Sequence, residues 1–127
     1  MSERVNERMS DQANERTNER TNERALVRVP ARARKGDVIS ISALVSHPME
    51  NGYRVDGTGT PVPRNIIERF TCRYDGVVIL SAELFPAITA NPYISFDTVA
   101  VRTGAFEFEW VDDRGLVSRA SAWIVVD

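Results

Sequence analysis

From residue 25 onward, apolar side chains recur at every second position in short runs, and turn-forming residues separate the runs. Residues 25–30, ALVRVP, alternate and stop at Pro30, which has no N–H for a ladder and suits a strand end. Lys35-Gly36-Asp37 reads as a turn, and VISISALVS at 38–46 puts Ile39, Ile41, Ala43 and Val45 on one face. Residues 47–64 carry Asn51-Gly52, Asp56-Gly57 and three prolines, which predicts a long polar loop of a length that is often functional. In residues 65–84 two apolar-rich runs flank Asp75-Gly76, a strong hairpin signal because the tight turn needs positive φ.

Within this hairpin, Ile66, Phe70, Cys72 and Tyr74 fall on one face, with Glu68 as an exception, and Ile67, Arg69, Thr71 and Arg73 on the other. In the second run, Val78, Leu80, Ala82 and Leu84 oppose Val77, Ile79, Ser81 and Glu83. Both faces are partly apolar, which predicts cover on both sides, from this domain or another chain. Residues 86–93 form a turn-rich connection, 93–102 a strand, and AFEFEWVDD at 105–113 the clearest alternation in the chain. There Phe106, Phe108 and Trp110 face the core while Glu107 and Glu109 face water. Asp113-Arg114-Gly115 turns the chain into a last strand over 116–127.

This adds up to about seven strands with turns every 8–12 residues, the signature of an all-β, immunoglobulin-like or fibronectin-III-like antiparallel β-sandwich. A small barrel is the alternative. Residues 1–24 are different. They hold a tetrapeptide array, SERV-NERM-SDQA-NERT-NERT-NERA over 2–25, polar and nearly charge-balanced. A period of four drifts against 3.6, and its fourth positions are too weakly apolar to bury, so disorder or a fraying helix is expected there. The division is a low-complexity extension at 1–24 and one sandwich domain at 25–127.

Composition narrows the chemistry. At 127 residues, 43 % hydrophobic and 27 % charged, the chain suits one domain. A net charge of −2 gives no reason to expect nucleic acid or an anionic membrane as partner. No apolar run is long enough for a spanning helix, and the first residues lack the apolar stretch of a signal peptide. One cysteine excludes an internal disulfide, and one cysteine with one histidine excludes a cysteine-based zinc site.

Cys72 lies mid-strand on the apolar face and is expected to be a small structural core thiol. Its arginine neighbours, Arg69 and Arg73, point the other way and offer no activation. A thiol-dependent redox enzyme or sensor pairing Cys72 with His47 is the alternative reading. Asp112-Asp113 read as turn chemistry, not as a catalytic pair. The segment Ser46–Gly52, SHPMENG, combines a histidine, a methionine and a carboxylate in what reads as an exposed contact surface. No catalytic motif stands out, which favours a binding or scaffold module with no cofactor and no resident metal.

The segments VSHPMENG (45–52), PVPRNII (61–67), FTCRYDG (70–76), PAITANPYISF (86–96) and GAFEFEWVDDRG (104–115) resemble the SoxZ family, one half of the SoxYZ sulfur-compound carrier of the bacterial thiosulfate-oxidising Sox system. The likeness spans residues 25–127 and leaves out the array. It implies an immunoglobulin-like fold and a heterodimer with a SoxY-like partner that carries sulfur intermediates on a cysteine of a flexible arm, with transient contacts to the Sox enzymes. It also implies a periplasmic location, reached by co-export with a signal-bearing partner. A carrier thiol needs a mobile tether, and neither Cys72 nor the terminal strand, ending WIVVD, has one. The expectation is a non-catalytic scaffold subunit, with His47, Pro48, Met49, Glu50, Asn91 and Tyr93 as the partner or arm contacts.

Overall fold

The computed structural model describes residues 17–20, 25–84 and 90–127, the first four by their backbone alone. The rest of the tetrapeptide array, and residues 85–89 of the turn-rich connection, lie outside the described residues. Two sheets stack on one another. One runs β1 (Thr17–Arg20), β2 (Ala25–Pro30), β4 (Val38–Val45), β7 (Tyr93–Val99). The other runs β3 (Arg32–Ala33), β9 (Val117–Val126), β8 (Gly104–Asp112), β5 (Ile67–Tyr74), β6 (Val77–Glu83). The seven longer strands from β2 onward are those that the alternation predicts. Thr17–Arg20, inside the array, is an antiparallel strand beside β2 and not a turn of helix. The free edge of β2 offers unpaired main-chain groups that a polar segment can take up.

Pro30 ends β2 as expected, and the chain then changes sheets. The two-residue β3 runs parallel to β9, the single parallel pairing among the described strands. Val125 N–H donates to the Ala31 carbonyl at 3.0 Å and Asp127 N–H to the Ala33 carbonyl at 3.0 Å. The Asp75-Gly76 turn closes the β5–β6 hairpin with φ of 52° and 82°, the left-handed backbone that this pair tolerates.

The core is the alternation made solid. Phe106, Phe108 and Trp110 of β8 and Phe70 of β5 are fully buried against Val27, Val29, Ile41 and Val45 of the facing sheet. Phe70 and Trp110 are cross-strand partners with ring centroids 5.3 Å apart, and Tyr74 stacks on Phe106 at 4.2 Å. Each such side chain contributes on the order of 2 kcal/mol by burial.

Two β-bulges alter the expected faces of the central hairpin. On β5 the register against β8 shifts between Ile67, opposite Asp112, and Arg69, opposite Val111. Glu68 is the extra residue, so it sits exposed where strict alternation would bury it. Ile66 and Ile67 both end up buried, which corrects the placement of Ile67 beside Arg69 on the outer face. On β6, Arg73 opposes Val78 while Cys72 opposes Leu80, which leaves Ile79 as the extra residue. Val77 therefore shares the Tyr74 side and Val78 the Arg73 side, and Val78 does not share a face with Leu80 as simple alternation has it. Ile79 and Leu80 both pack half-buried against the core.

Candidate functional site

Cys72 lies in the middle of β5, between Phe108 on β8 and Leu80 on β6. It is 0 % exposed. Burial pushes its thiol up to about 12, so at neutral pH it is protonated and a poor nucleophile. Hydrogen-bonded strands flank it on both sides, and the core lies beneath it. The chain holding it has no freedom to carry it anywhere.

The second group of candidate residues gathers at one end of the sandwich. His47 is 2 % exposed, so the expected solvent-facing histidine is in fact a core residue. The reason is a set of polar partners distant in sequence. Its main-chain N–H donates to Asn91 Oδ1 at 2.9 Å, and its carbonyl accepts the Asn91 N–H at 2.7 Å. Its ring Nδ1 accepts the Met49 N–H at 3.0 Å. That bond assigns the ring proton to Nε2, which lies 3.9 Å from Asp112 Oδ2.

Met49 is buried too, and its Sδ accepts the Ile67 N–H at 3.2 Å. Met49 and Asn91 both adopt the left-handed backbone, with φ of 51° and 53°. This is uncommon for methionine and needs the surrounding bonds to hold it. The two-residue bridge between Glu50 and Asn65, with a 2.8 Å bond in each direction, closes the loop.

Of the six expected contact residues, His47 and Met49 thus shape the loop from inside. Pro48, Asn91 and Tyr93 lie on the surface, Tyr93 at 65 % exposure. Glu50 is half-buried and holds Arg54 through bonds of 2.7 and 3.1 Å. The hydrogen bond from Arg54 lowers the Glu50 carboxyl below its ordinary range. The residue that sequence reasoning underrates is Asp112. Its Oδ1 accepts the Arg114 and Leu116 N–H groups at 2.9 and 2.8 Å, as an Asp-led turn predicts. Its other oxygen faces His47, which no local pattern announces.

Cys72 and His47 do not meet. Asp112, which faces the imidazole, is four positions along β8 from Phe108, the partner of Cys72. That is about 13 Å of strand. Among the described residues, no three His, Cys, Asp or Glu side chains come together as they would to hold a metal ion. The outer face of the larger sheet carries an open depression of about 510 Å³, lined by Arg73, Glu107, Glu109, Arg119 and Ser121 among others. Arg119 bridges Glu109 there at 3.1 Å, a solvated pairing of opposite charges that offers no nucleophile.

A family model described as sulphur oxidation protein SoxZ matches residues 27–122. No curated protein matches the chain. Similar solved structures include the sulfur carrier protein SoxY from Chlorobium limicola f thiosulfatophilum, 14 % identical, with a TM-score of 0.60 over 84 % of this chain and 81 % of that one. A superoxide reductase (neelaredoxin) from Ignicoccus hospitalis is 15 % identical, with a TM-score of 0.63 over 85 % of this chain and 83 % of that one. A superoxide reductase from Thermotoga maritima, titled as putative, is 14 % identical, with a TM-score of 0.63 over 81 % and 85 %. At these identities the likeness to solved structures shows a shared sandwich fold.

Proposed function

The chain belongs to the SoxZ family, a subunit of the Sox carrier complex, and from that premise we propose that it is the scaffold half of a heterodimer whose SoxY-like partner bears the sulfur cargo. The observation that carries this reading is the position of Cys72. A carrier thiol must leave its own domain to enter the sites of several enzymes. The one cysteine of this sequence is walled in by β6, β8 and the core, with its thiol held protonated. Cargo must therefore ride on another polypeptide, and this subunit folds against that polypeptide and presents it. The role needs no catalytic residue of its own. We place the complex in the periplasm, with the chain co-exported by its partner. Among the described residues no helix is long and apolar enough to cross a membrane.

The test is co-expression with a SoxY-like chain, capture of the pair, and intact-mass analysis after exposure to thiosulfate and the Sox enzymes. Sulfur-dependent mass additions are expected on the partner and none on this subunit. A persulfide or thiosulfonate on Cys72 overturns the proposal.

A further inference from the structure

We propose that the outer edge of β6 takes an extended, uncharged strand of the carrier-type partner, so that the larger sheet continues across the subunit boundary. This inference rests on the scaffold reading above and names the surface by which it works.

β6 is the last strand of its sheet, and among the described residues no strand pairs with its outer side. A seven-residue edge offers alternating main-chain N–H and C=O groups to any strand that comes alongside. Proteins ordinarily guard such edges with charges or proline. Residues 77–82 of β6, VVILSA, contain neither. Val77 is 57 % exposed and Val78 49 % exposed, on opposite faces of the same edge. The β7 edge differs, since it carries Asp97 and two serine or threonine residues, with Asp97 held by the Ser40 hydroxyl at 2.8 Å.

The bulge makes this edge the mouth of the core. It turns both Ile79 and Leu80 to the inner side, where they pack half-exposed with Leu84. β2 packs across β9, so the two sheets run in the same order and β7 lies at the same lateral end as β6. There Ile94 and Phe96 of β7 are half-buried against the same core. An added strand would close this opening, as β1 and β3 close the opposite end.

Charge selects the occupant. The charged groups at the two ends of β6 face partners within this chain. Asp75 bridges Arg102 at 3.2 Å, and Glu83 stands opposite Arg69 in the ladder. Between them lie seven uncharged residues, 76–82, which match a neutral, apolar strand and penalise a charged one. A second open sandwich has edge strands of its own to bring alongside, and the SoxY structure is similar to this chain in fold.

The experiment uses the full chain with its SoxY-like partner. Hydrogen–deuterium exchange, with and without partner, should show new protection concentrated in residues 77–83. The substitutions V77K and V78K sit on exposed positions and should leave the thermal transition of the free subunit in place while weakening the complex roughly tenfold or more. L116K, at an exposed turn residue, should leave binding unchanged. A complex that forms without protection of 77–83, and tolerates both lysines, overturns the edge assignment and leaves the scaffold reading standing. Failure of the wild-type chain to pair with the SoxY-like chain overturns both. A dimer of this chain alone that is dissolved by V78K, with partner binding unaffected, overturns the choice of occupant.

Discussion

The imidazole of His47 holds the main chain of Met49: Nδ1 accepts the Met49 N–H at 3.0 Å, and that bond anchors a methionine in the left-handed region. Asn91, itself left-handed, grips His47 from the other side through two main-chain contacts. Replacing His47 by Leu keeps the bulk and removes the acceptor, which leaves a buried N–H unpaired. The expected loss is about 1–3 kcal/mol in urea unfolding. Amides of residues 46–52 should exchange faster than those of β8. Unchanged stability in His47→Leu would mean that the loop finds another acceptor.

Cys72 should impose an alkaline limit on stability. Its thiol rises from an ordinary 9.0 to about 12 because the folded core disfavours the thiolate. The raised value means that the folded state keeps its proton when the unfolded state has lost it. The contribution is therefore complete below about pH 9 and is lost between pH 9 and 12, at about 1.4 kcal/mol per pH unit. Cys72→Ala should have a flatter stability profile than wild type over that window, measured as the difference between the two proteins. Equal slopes would refute the buried-thiol account.

Native alkylation reads the same geometry by kinetics. Iodoacetamide at pH 8 should label Cys72 only at the rate at which β5 opens, and denaturant should speed labelling by orders of magnitude. Rapid labelling of the native chain would revive a reactive thiol.

Tyr74 secures the loop that leads into β8. Its hydroxyl accepts the N–H groups of Val101 and Arg102 at 3.2 and 3.1 Å and donates to the Arg102 carbonyl. Tyr74→Phe keeps the stack on Phe106 and loses all three bonds. A destabilisation of about 1–3 kcal/mol is expected in equilibrium unfolding, with faster exchange at residues 101–103. A neutral result would show that water replaces the hydroxyl.

The Glu68 bulge is testable by deletion. Removing Glu68 restores strict alternation along β5 and should drive Ile66 or Ile67 out of the core. That amounts to the loss of one large buried side chain, about 2–5 kcal/mol. Glu68→Ala, which keeps the bulge, should unfold at nearly the wild-type midpoint.

The strands, the hairpin turn at Asp75-Gly76 and the inward direction of Cys72 were all written in the order of residues. Alternation is a property of a single pleated strand, and a tight turn is a property of two adjacent residues, so no distant partner is needed to see either. The family resemblance was legible for the same reason, in contiguous segments that the match over residues 27–122 takes in. Tertiary structure decided where the period breaks. The bulges at Glu68 and Ile79 depend on how β5 meets β8 and β6, and they moved Ile67 and Val78 to faces that counting by twos cannot assign. It also decided that His47 is interior, because its partners Asn91 and Asp112 come from segments far along the chain. And it decided that β6, a run apolar on both sides, stands at a rim, with no strand on its outer side among the described residues. An edge strand and a central strand can carry the same residues, and only the packing of the whole sheet distinguishes them.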